Sequence, residues 1–443
     1  MSALTRMRRL RRAWPMALRL LAFASFSALE LGPVCGQEMA APAAPPPGPP
    51  LSLERVTRAA LQKNPAIKTA RATWQAKRER IEQEAAWEDP KLTFRSLLGR
   101  FVDIGPNGFT DQMVSLEQAI PVSGKNKSRA RIALSEALAA FQDLRRQELD
   151  VVAKTRAAFF RLSNDDALLE LNEANDASLA LALAVTRARL EVGTQSQADA
   201  LLAETERQRV IEARRDLERK RSDDQSALNV LMNADPFTPL GKPVVALRTA
   251  PERGAEALRL QTLANRPEVL RASADLAAAQ ASLQLARRQW VPDPTLMLQA
   301  DHYNASSRVV SEVSGGVSIN LPWPNAKKYR AGEREAQDRI VAAGQMLEGA
   351  KTESLGKLRD QLKTIETLRH HLELYETSIL PSARQALTAN QADYENNKTG
   401  LLNVLTSQRG LYELEAMYQQ DLTDYRVALA DLEALVGSTL GFF

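Results

Sequence analysis

Residues 111–127 read DQMVSLEQAIPVSGKNK, and residues 308–328 read RVVSEVSGGVSINLPWPNAKK. In both stretches apolar and polar side chains alternate, as in a strand with one apolar and one polar face, before a proline-containing exit leads into a helical sequence. A further strand-like segment precedes each of them. The predicted strands are 91–102, 111–122, 295–303 and 308–321. The chain therefore repeats one unit, in which a pair of strands interrupts a helical sequence.

The helices that follow each strand pair are very long. Residues 125–190 contain neither proline nor glycine and consist mainly of strong helix formers. At 1.5 Å per residue they predict a helix of about 100 Å. Residues 327–396 predict a second helix of similar length, which Pro381 is expected to kink. The other predicted helices are 52–87 with a restart at Asn64-Pro65, 197–232, 267–290 and one that ends near 436.

The N-terminal 36 residues have the pattern of a secretory signal peptide. A cluster of arginines precedes a short apolar segment at 20–29, and small residues follow at Val34-Cys35-Gly36. Residues 37–51 are rich in alanine and proline and predict an extended tether. Cys35 is the only cysteine, so no intrachain disulfide forms. Two alternatives stay open for it, cleavage after Gly36 or lipidation of Cys35.

The basic composition belongs to the leader. Of 58 basic and 54 acidic side chains, six arginines and one glutamate lie in residues 1–36, which leaves a net charge of about −1. A near-neutral chain gives no reason to expect nucleic acid as a partner. Beyond the leader, no apolar run is long enough for a transmembrane helix.

The strand count predicts an assembly. Membrane barrels begin at about eight strands, so four strands cannot close one. Three copies would supply twelve strands and enclose a conduit, whereas two copies would supply eight and fill their lumen with side chains. A trimer is the better prediction, and the count alone does not exclude a dimer. Ordinary half-buried strands and a fibrous coiled coil are the alternatives, and the leader and the strand pairs argue against the coiled coil.

The ordered set of segments resembles the TolC family of bacterial outer-membrane efflux proteins, over about 51–440. The resemblance rests on the duplicated order helix, strand, strand, helix and on short segments that recur at matching places. These segments are Asn64-Pro65, the strand exits 120–124 and 321–324, and the turns 191–194 and 398–405. It implies a mainly α fold with β-strands: a long α-helical barrel, and a β-barrel of four strands per chain completed by a homotrimer.

The same resemblance implies a function and a site. It implies an exit duct in the outer membrane that extends into the periplasm and receives substrate from a periplasmic adaptor and an inner-membrane pump. The helix tips would face the adaptor at Gly193, Thr194, Thr399, Gly400 and Leu401. The channel constriction would lie at Asp199, Tyr394, Asn403 and Thr406. Because Asn403 and Thr406 stand where some members have aspartates, a double acidic ring is not expected. Asp199 also has an alternative role as an acid at a helix start.

No pattern for catalysis or metal binding is present in the sequence. The three histidines are His302, His370 and His371, and the adjacent pair points about 100° apart on a helix. We therefore expect no enzyme activity, no cofactor and no metal site. The expected domains are a signal peptide (1–36), a tether (37–51), a first repeat (52–240), an inter-repeat segment (241–262) and a second repeat (263–443). A type I protein secretion duct and a periplasmic coiled-coil scaffold or adaptor remain the alternative functions.

Overall fold

The computed structural model describes residues 50–98, 110–245, 254–304 and 306–438. The predicted signal peptide, Cys35 and nearly all of the tether lie outside the described residues, as does the end of the first predicted strand. The helices are α1 (Leu53–Lys63), α2 (Pro65–Ala85), α3 (Lys125–Glu191), α4 (Gln197–Leu231), α5 (Ala255–Asn265), α6 (Pro267–Arg288), α7 (Ala326–Leu374), α8 (Leu380–Glu395) and α9 (Leu401–Val436). The strands are β1 (Leu51–Ser52), β2 (Lys91–Ser96), β3 (Thr110–Ala119), β4 (Pro243–Val244), β5 (Pro294–Tyr303) and β6 (Glu312–Ile319).

Helix α3 confirms the prediction of one long, uninterrupted helix over residues 125–190. Its 67 residues correspond to about 100 Å. It packs along α4, where Arg221 pairs with Asp166 at 2.5 Å and Arg207 pairs with Asp176 at 2.9 Å. Near its middle, Phe159 is fully buried in a cluster with α1 and α4. Helix α3 thus has a buried core that it shares with α1 and α4.

The second long helix is not continuous. A π-helical turn, Tyr375–Ile379, separates α7 from α8, and Pro381 follows as the second residue of α8. Proline has no N–H to donate to the carbonyl of Thr377, so the α-helical hydrogen-bond ladder cannot pass this point unchanged. The predicted interruption at Pro381 therefore takes the form of a π-helical turn just before it.

Four strands form one antiparallel sheet in the order β2-β3-β5-β6. Leu116 of β3 pairs with Leu92 of β2 on one side and with Leu298 of β5 on the other. Among the described residues, β2 and β6 are the open edges of this sheet. The prediction that the last strand begins at residue 308 is wrong, because its pairing with β5 begins at Glu312 and the preceding residues form the connection.

The two faces of this sheet differ in an unusual way. The apolar face is exposed in the single chain, with 41–70% exposure for the large apolar side chains of its strands. These side chains are Leu92, Phe94, Val114, Leu116, Leu296, Leu298, Val313, Val317 and Ile319. On the polar face, Ser115 and Asp301 of the central strands are buried, whereas the edge strands expose Lys91, Arg95, Glu312 and Ser318. An ordinary soluble sheet buries its apolar face instead.

A second, two-stranded sheet was not predicted. Strand β1 pairs in parallel with β4, and the N–H of Leu51 donates to the carbonyl of Lys242 at 3.0 Å. Leu51 belongs to the same buried cluster as Phe159. The β1–β4 pairing therefore holds the start of the first predicted repeat against the predicted inter-repeat segment.

Candidate functional site: helix tips and strand–helix junction

The first tip joins α3 to α4 through a left-handed glycine. Gly193 has φ of 76°, and its N–H donates to Leu190 O at 2.9 Å. The N–H of Thr194 donates to Arg189 O at the same distance, which completes a Schellman closure. Residues with a Cβ rarely adopt this φ, so glycine suits the position. Gly193 and Thr194 are both exposed.

Asp199 lies at the third position of α4 and takes part in capping it. Ser196 is the N-cap residue, and its Oγ accepts from the backbone N–H of Asp199 at 3.1 Å and donates to Asp199 Oδ2 at 2.6 Å. The Gln195 amide donates to the same oxygen at 2.7 Å. The Ser196 hydroxyl, aided by the Gln195 amide and the Ser196 backbone, outweighs the opposing effect of burial and lowers the pKa of Asp199. The helix-start role of this acid is therefore present in the structure.

The second tip uses the same closure with different residues. Asn397 has φ of 55°, its N–H donates to Tyr394 O at 3.1 Å, and Lys398 N–H donates to Asp393 O at 2.8 Å. Asn397, not Gly400, thus occupies the position of Gly193. Gly400 is the N-cap residue of α9, where the first tip has Ser196.

Asn403 is the counterpart of Asp199. It is the third residue of α9, it is exposed, and its amide donates to Thr399 Oγ1. Thr406 lies one turn further on, also exposed, and donates to Leu402 O at 2.8 Å. No hydrogen bond or ion pair in the described chain joins Asp199 to Asn403 or Thr406.

The interior side chains of the two tips share one apolar cluster. Tyr394 and Leu401 pack there with Leu179, Leu183 and Ala203. Leu401 is only 1% exposed, so its side chain packs inside the tip and supports the turn from within. Gly400 is exposed and Thr399 is half-buried.

Arg189 connects the two tips through contacts that the sequence analysis did not predict. Its guanidinium lies 4.6 Å from the centroid of the Tyr394 ring, and its Nη1 donates to Tyr394 O at 3.4 Å. The Tyr394 hydroxyl is buried and has no hydrogen-bond partner in the described residues. Farther along, Arg409 of α9 pairs with Glu206 of α4 at 2.5 Å. No periodic pattern predicts these contacts, because they join helices that are distant in sequence.

A polar junction holds the first strand exit to the second strand entry. Asp293 accepts from the backbone N–H and the hydroxyl of Ser123, each at 2.8 Å, and from Lys125 Nζ at 3.0 Å. Arg288 donates to Ser123 O at 2.7 Å. Gly124, with φ of 70°, lies directly against this arginine. The Asp-Pro pair at the start of β5 and of β2 was the only sequence signal for it.

The histidines form no metal site in the described residues, where no group of three or more potential metal ligands occurs. His302 pairs with Asp111 at 2.6 Å, and His371 lies 3.5 Å from Asp421. Within the same residues, no helix is both long and apolar enough to cross a membrane.

The comparison with known families decides the identity of this fold. The sequence model described as outer membrane efflux protein matches residues 56–234 and 258–438. The chain belongs to the outer membrane efflux protein family. The resemblance inferred from the duplicated strand pairs is thereby confirmed.

Individual relatives agree with this assignment. The solvent efflux pump outer membrane protein SrpC of Pseudomonas putida is 24% identical over 389 residues, which cover 84% of this chain and 82% of SrpC. The outer-membrane channel OprN shares the fold with a TM-score of 0.75 and 17% identity, over 88% of this chain and 90% of OprN. The outer membrane protein VceC of Vibrio cholerae has a TM-score of 0.73 and 17% identity, over 88% of this chain and 96% of VceC. The predicted fold class, efflux function and outer-membrane location of this efflux protein are confirmed.

Proposed function

We propose that this efflux protein is the passive exit duct of a tripartite efflux system and that three copies close one tube. The main support for this proposal is the four-stranded sheet, whose apolar face is exposed and whose edges β2 and β6 are open. Three such sheets supply twelve strands, an even number that closes a barrel with its apolar face toward outer-membrane lipid. Closure also gives both edges a partner. Joined to helices of about 100 Å, such a barrel leads from the outer membrane into the periplasm.

We propose that the periplasmic adaptor, and through it an inner-membrane pump, docks at the helix tips. Gly193, Thr194 and Gly400 are exposed there, with Thr399 half-buried beside them. Leu401 fixes the second turn from beneath, since it packs in the shared cluster of the tips.

We propose that the constriction is formed by Asp199, Asn403 and Thr406, with Tyr394 as its support. In three copies Asp199 supplies one ring of carboxylates, and Asn403 and Thr406 supply neutral polar groups. The low pKa keeps Asp199 ionised at neutral pH, while its bonds to Ser196 and Gln195 hold the carboxylate in one position. A single ring of this kind would bias the closed end toward cations.

The domain boundaries predicted from the sequence are part of the same proposal. Residues 1–36 export the chain, residues 37–51 act as a tether with Cys35 as the lipidation alternative, and the repeats span 52–240 and 263–443 around a connecting segment, 241–262. A duct conducts without bond chemistry, so we propose no enzyme activity.

Planar-bilayer conductance tests the duct, with two matched variants of β5. Leu298→Lys places a charge on the apolar face and should cost about 2–4 kcal/mol at the bilayer midplane, so channels should be lost. Gln299→Lys, the next residue, lies on the polar face and should leave channel formation intact. Absence of conductance from the unaltered protein would favour a periplasmic scaffold. Equal tolerance of both lysines would contradict the assignment of the faces.

A further inference from the structure

The polar junction around Asp293 has an equivalent at the other strand pair, but the two components of that second junction do not meet within one chain. In the completed junction, the exit of β3 meets the entry of β5, and Asp293 bonds to Ser123 and Lys125. Lys125 and Asp293 are only 14% and 22% exposed. Duplication places the same two components at the other strand pair: the entry of β2 and the exit of β6.

These two components lie at opposite edges of the sheet. Asp89-Pro90 precedes β2 as Asp293-Pro294 opens β5, and Lys327 follows β6 near the start of α7 as Lys125 starts α3. The separation of β2 and β6 across three strand spacings is about 14 Å, so the pair cannot form within one copy. Asp89 and Lys327 are both exposed, and no ion pair of either occurs in the described residues.

We propose that Asp89 of one copy and Lys327 of the neighbouring copy complete this second junction. The inference rests on the proposed trimer, in which β6 of one copy lies antiparallel beside β2 of the next, as β3 lies beside β5 within the chain. Charge is complementary across the seam, because Glu88 precedes Asp89 and Lys328 follows Lys327. Exposed tryptophans, Trp87 at 59% and Trp323 at 60%, flank the two components and gain cover there.

The second junction differs from the first in a way that sets its strength. Pro324 stands where Ser123 stands, so neither the backbone N–H nor the hydroxyl is available to the aspartate. Lys327 is also one residue further along its helix than Lys125. The junction between copies therefore depends on the lysine far more than the junction within the chain does.

Cysteine crosslinking of the full-length protein tests the pair. In Asp89→Cys with Lys327→Cys, a short bismaleimide crosslinker should convert single chains into covalent dimers and trimers, because the ion pair holds the two Cα atoms within the combined length of a lysine and an aspartate side chain. A direct disulfide is not used, since it requires Cα atoms within about 7 Å, which an ion pair does not. Neither single-cysteine variant should give covalent trimers. These variants also serve as the control for crosslinks between an introduced cysteine and Cys35. Asp89→Cys with Lys363→Cys, on the same helix about 54 Å further along, is the matched negative control.

Charge reversal gives the second measurement. Asp89→Lys or Lys327→Asp alone should lower the temperature at which the trimer separates in detergent, and the two together should restore it. A native trimer without crosslinking or restoration would overturn this pair and leave the proposed duct standing. A monomer in the unaltered protein would contradict the duct itself. Equal crosslinking in the Lys363→Cys control would also overturn the assignment.

Discussion

The long helical arms of the two repeats have the same place in the unit and different internal support. Helix α3 runs unbroken for 67 residues and buries side chains along most of its length. Helix α7 buries only Ala336, Ser354 and Leu358, and a π-helical turn separates it from α8. The difference indicates that the first arm is stable through contacts within the copy, whereas much of the second arm depends on neighbouring copies for cover.

The largest expected effect is in the core of the first arm. Phe159→Ala removes a fully buried ring and should lower the free energy of unfolding by about 3–5 kcal/mol. Val341→Ala on α7 removes a side chain that is 64% exposed within the copy and should cost less than about 1 kcal/mol. Denaturant unfolding followed by circular dichroism measures both. Equal losses would show that α7 is as well packed as α3 and would break the comparison.

The order of elements could be predicted from the sequence because the period of the apolar residues changes clearly from helix to strand and back. The first arm, free of proline and glycine, was predicted nearly to its ends. The β1–β4 pair has only two residues per strand, too few to show a period. The π turn reflects a local rearrangement of hydrogen bonds, which no propensity describes.

The site was predicted less completely than the fold. The tip turns and Asp199 are local in sequence and could be found. Contacts such as Arg189 with Tyr394 and Asp293 with Ser123 join residues that are far apart in the chain. Leu401 was expected on the docking surface, and packing turned its side chain inward, because the apolar positions of α9 face the helices of the first tip.

A buried acid in the first arm should make the stability of the protein depend on pH. Asp165 of α3 is fully buried with Lys220 at 3.4 Å, and burial together with Asp224 raises its pKa to about 7. Because the raised pKa favours the protonated form in the fold, stability should fall as pH rises from about 4 to 7 and then level off. Asp165→Asn should flatten this dependence and stabilise the protein by on the order of 2 kcal/mol at pH 8. Thermal unfolding at pH 5 and 8 measures it; an unchanged pH slope in the variant would contradict the role of Asp165.

The break in the second arm gives a smaller expected effect. Pro381→Ala restores an N–H that can donate to the carbonyl of Thr377. Hydrogen exchange of residues 375–382 should therefore slow about tenfold, which corresponds to about 1.4 kcal/mol in the free energy of local opening. Gly356→Ala on α7, where a Cβ meets no neighbour, should stabilise the helix by about 1 kcal/mol and leave that segment unchanged. If exchange is unaltered by Pro381→Ala, the edge-to-face contact between Tyr375 and Tyr418 sets the turn instead.

The tips give the smallest expected change in stability and separate two roles of one residue. Asp199→Ala removes the charge and the side-chain bonds to Ser196 and Gln195, whereas Asp199→Asn removes the charge and keeps a hydrogen-bonding side chain. The Ser196 cap on the backbone N–H of residue 199 remains in both variants, and loss of the side-chain bonds should cost up to about 1 kcal/mol in the alanine variant alone. If the carboxylate also closes the constriction, both variants should raise conductance above that of Asn403→Ala. Unchanged conductance in both would leave only the helix-start role.

In the proposed assembly one chain supplies a third of a tube, since its sheet has two open edges and an exposed apolar face. Native mass spectrometry of the mature protein released from detergent tests this most directly. A species of three chains that withstands dilution is expected, with no stable single chain beside it. A predominantly single-chain species under the same conditions would contradict it.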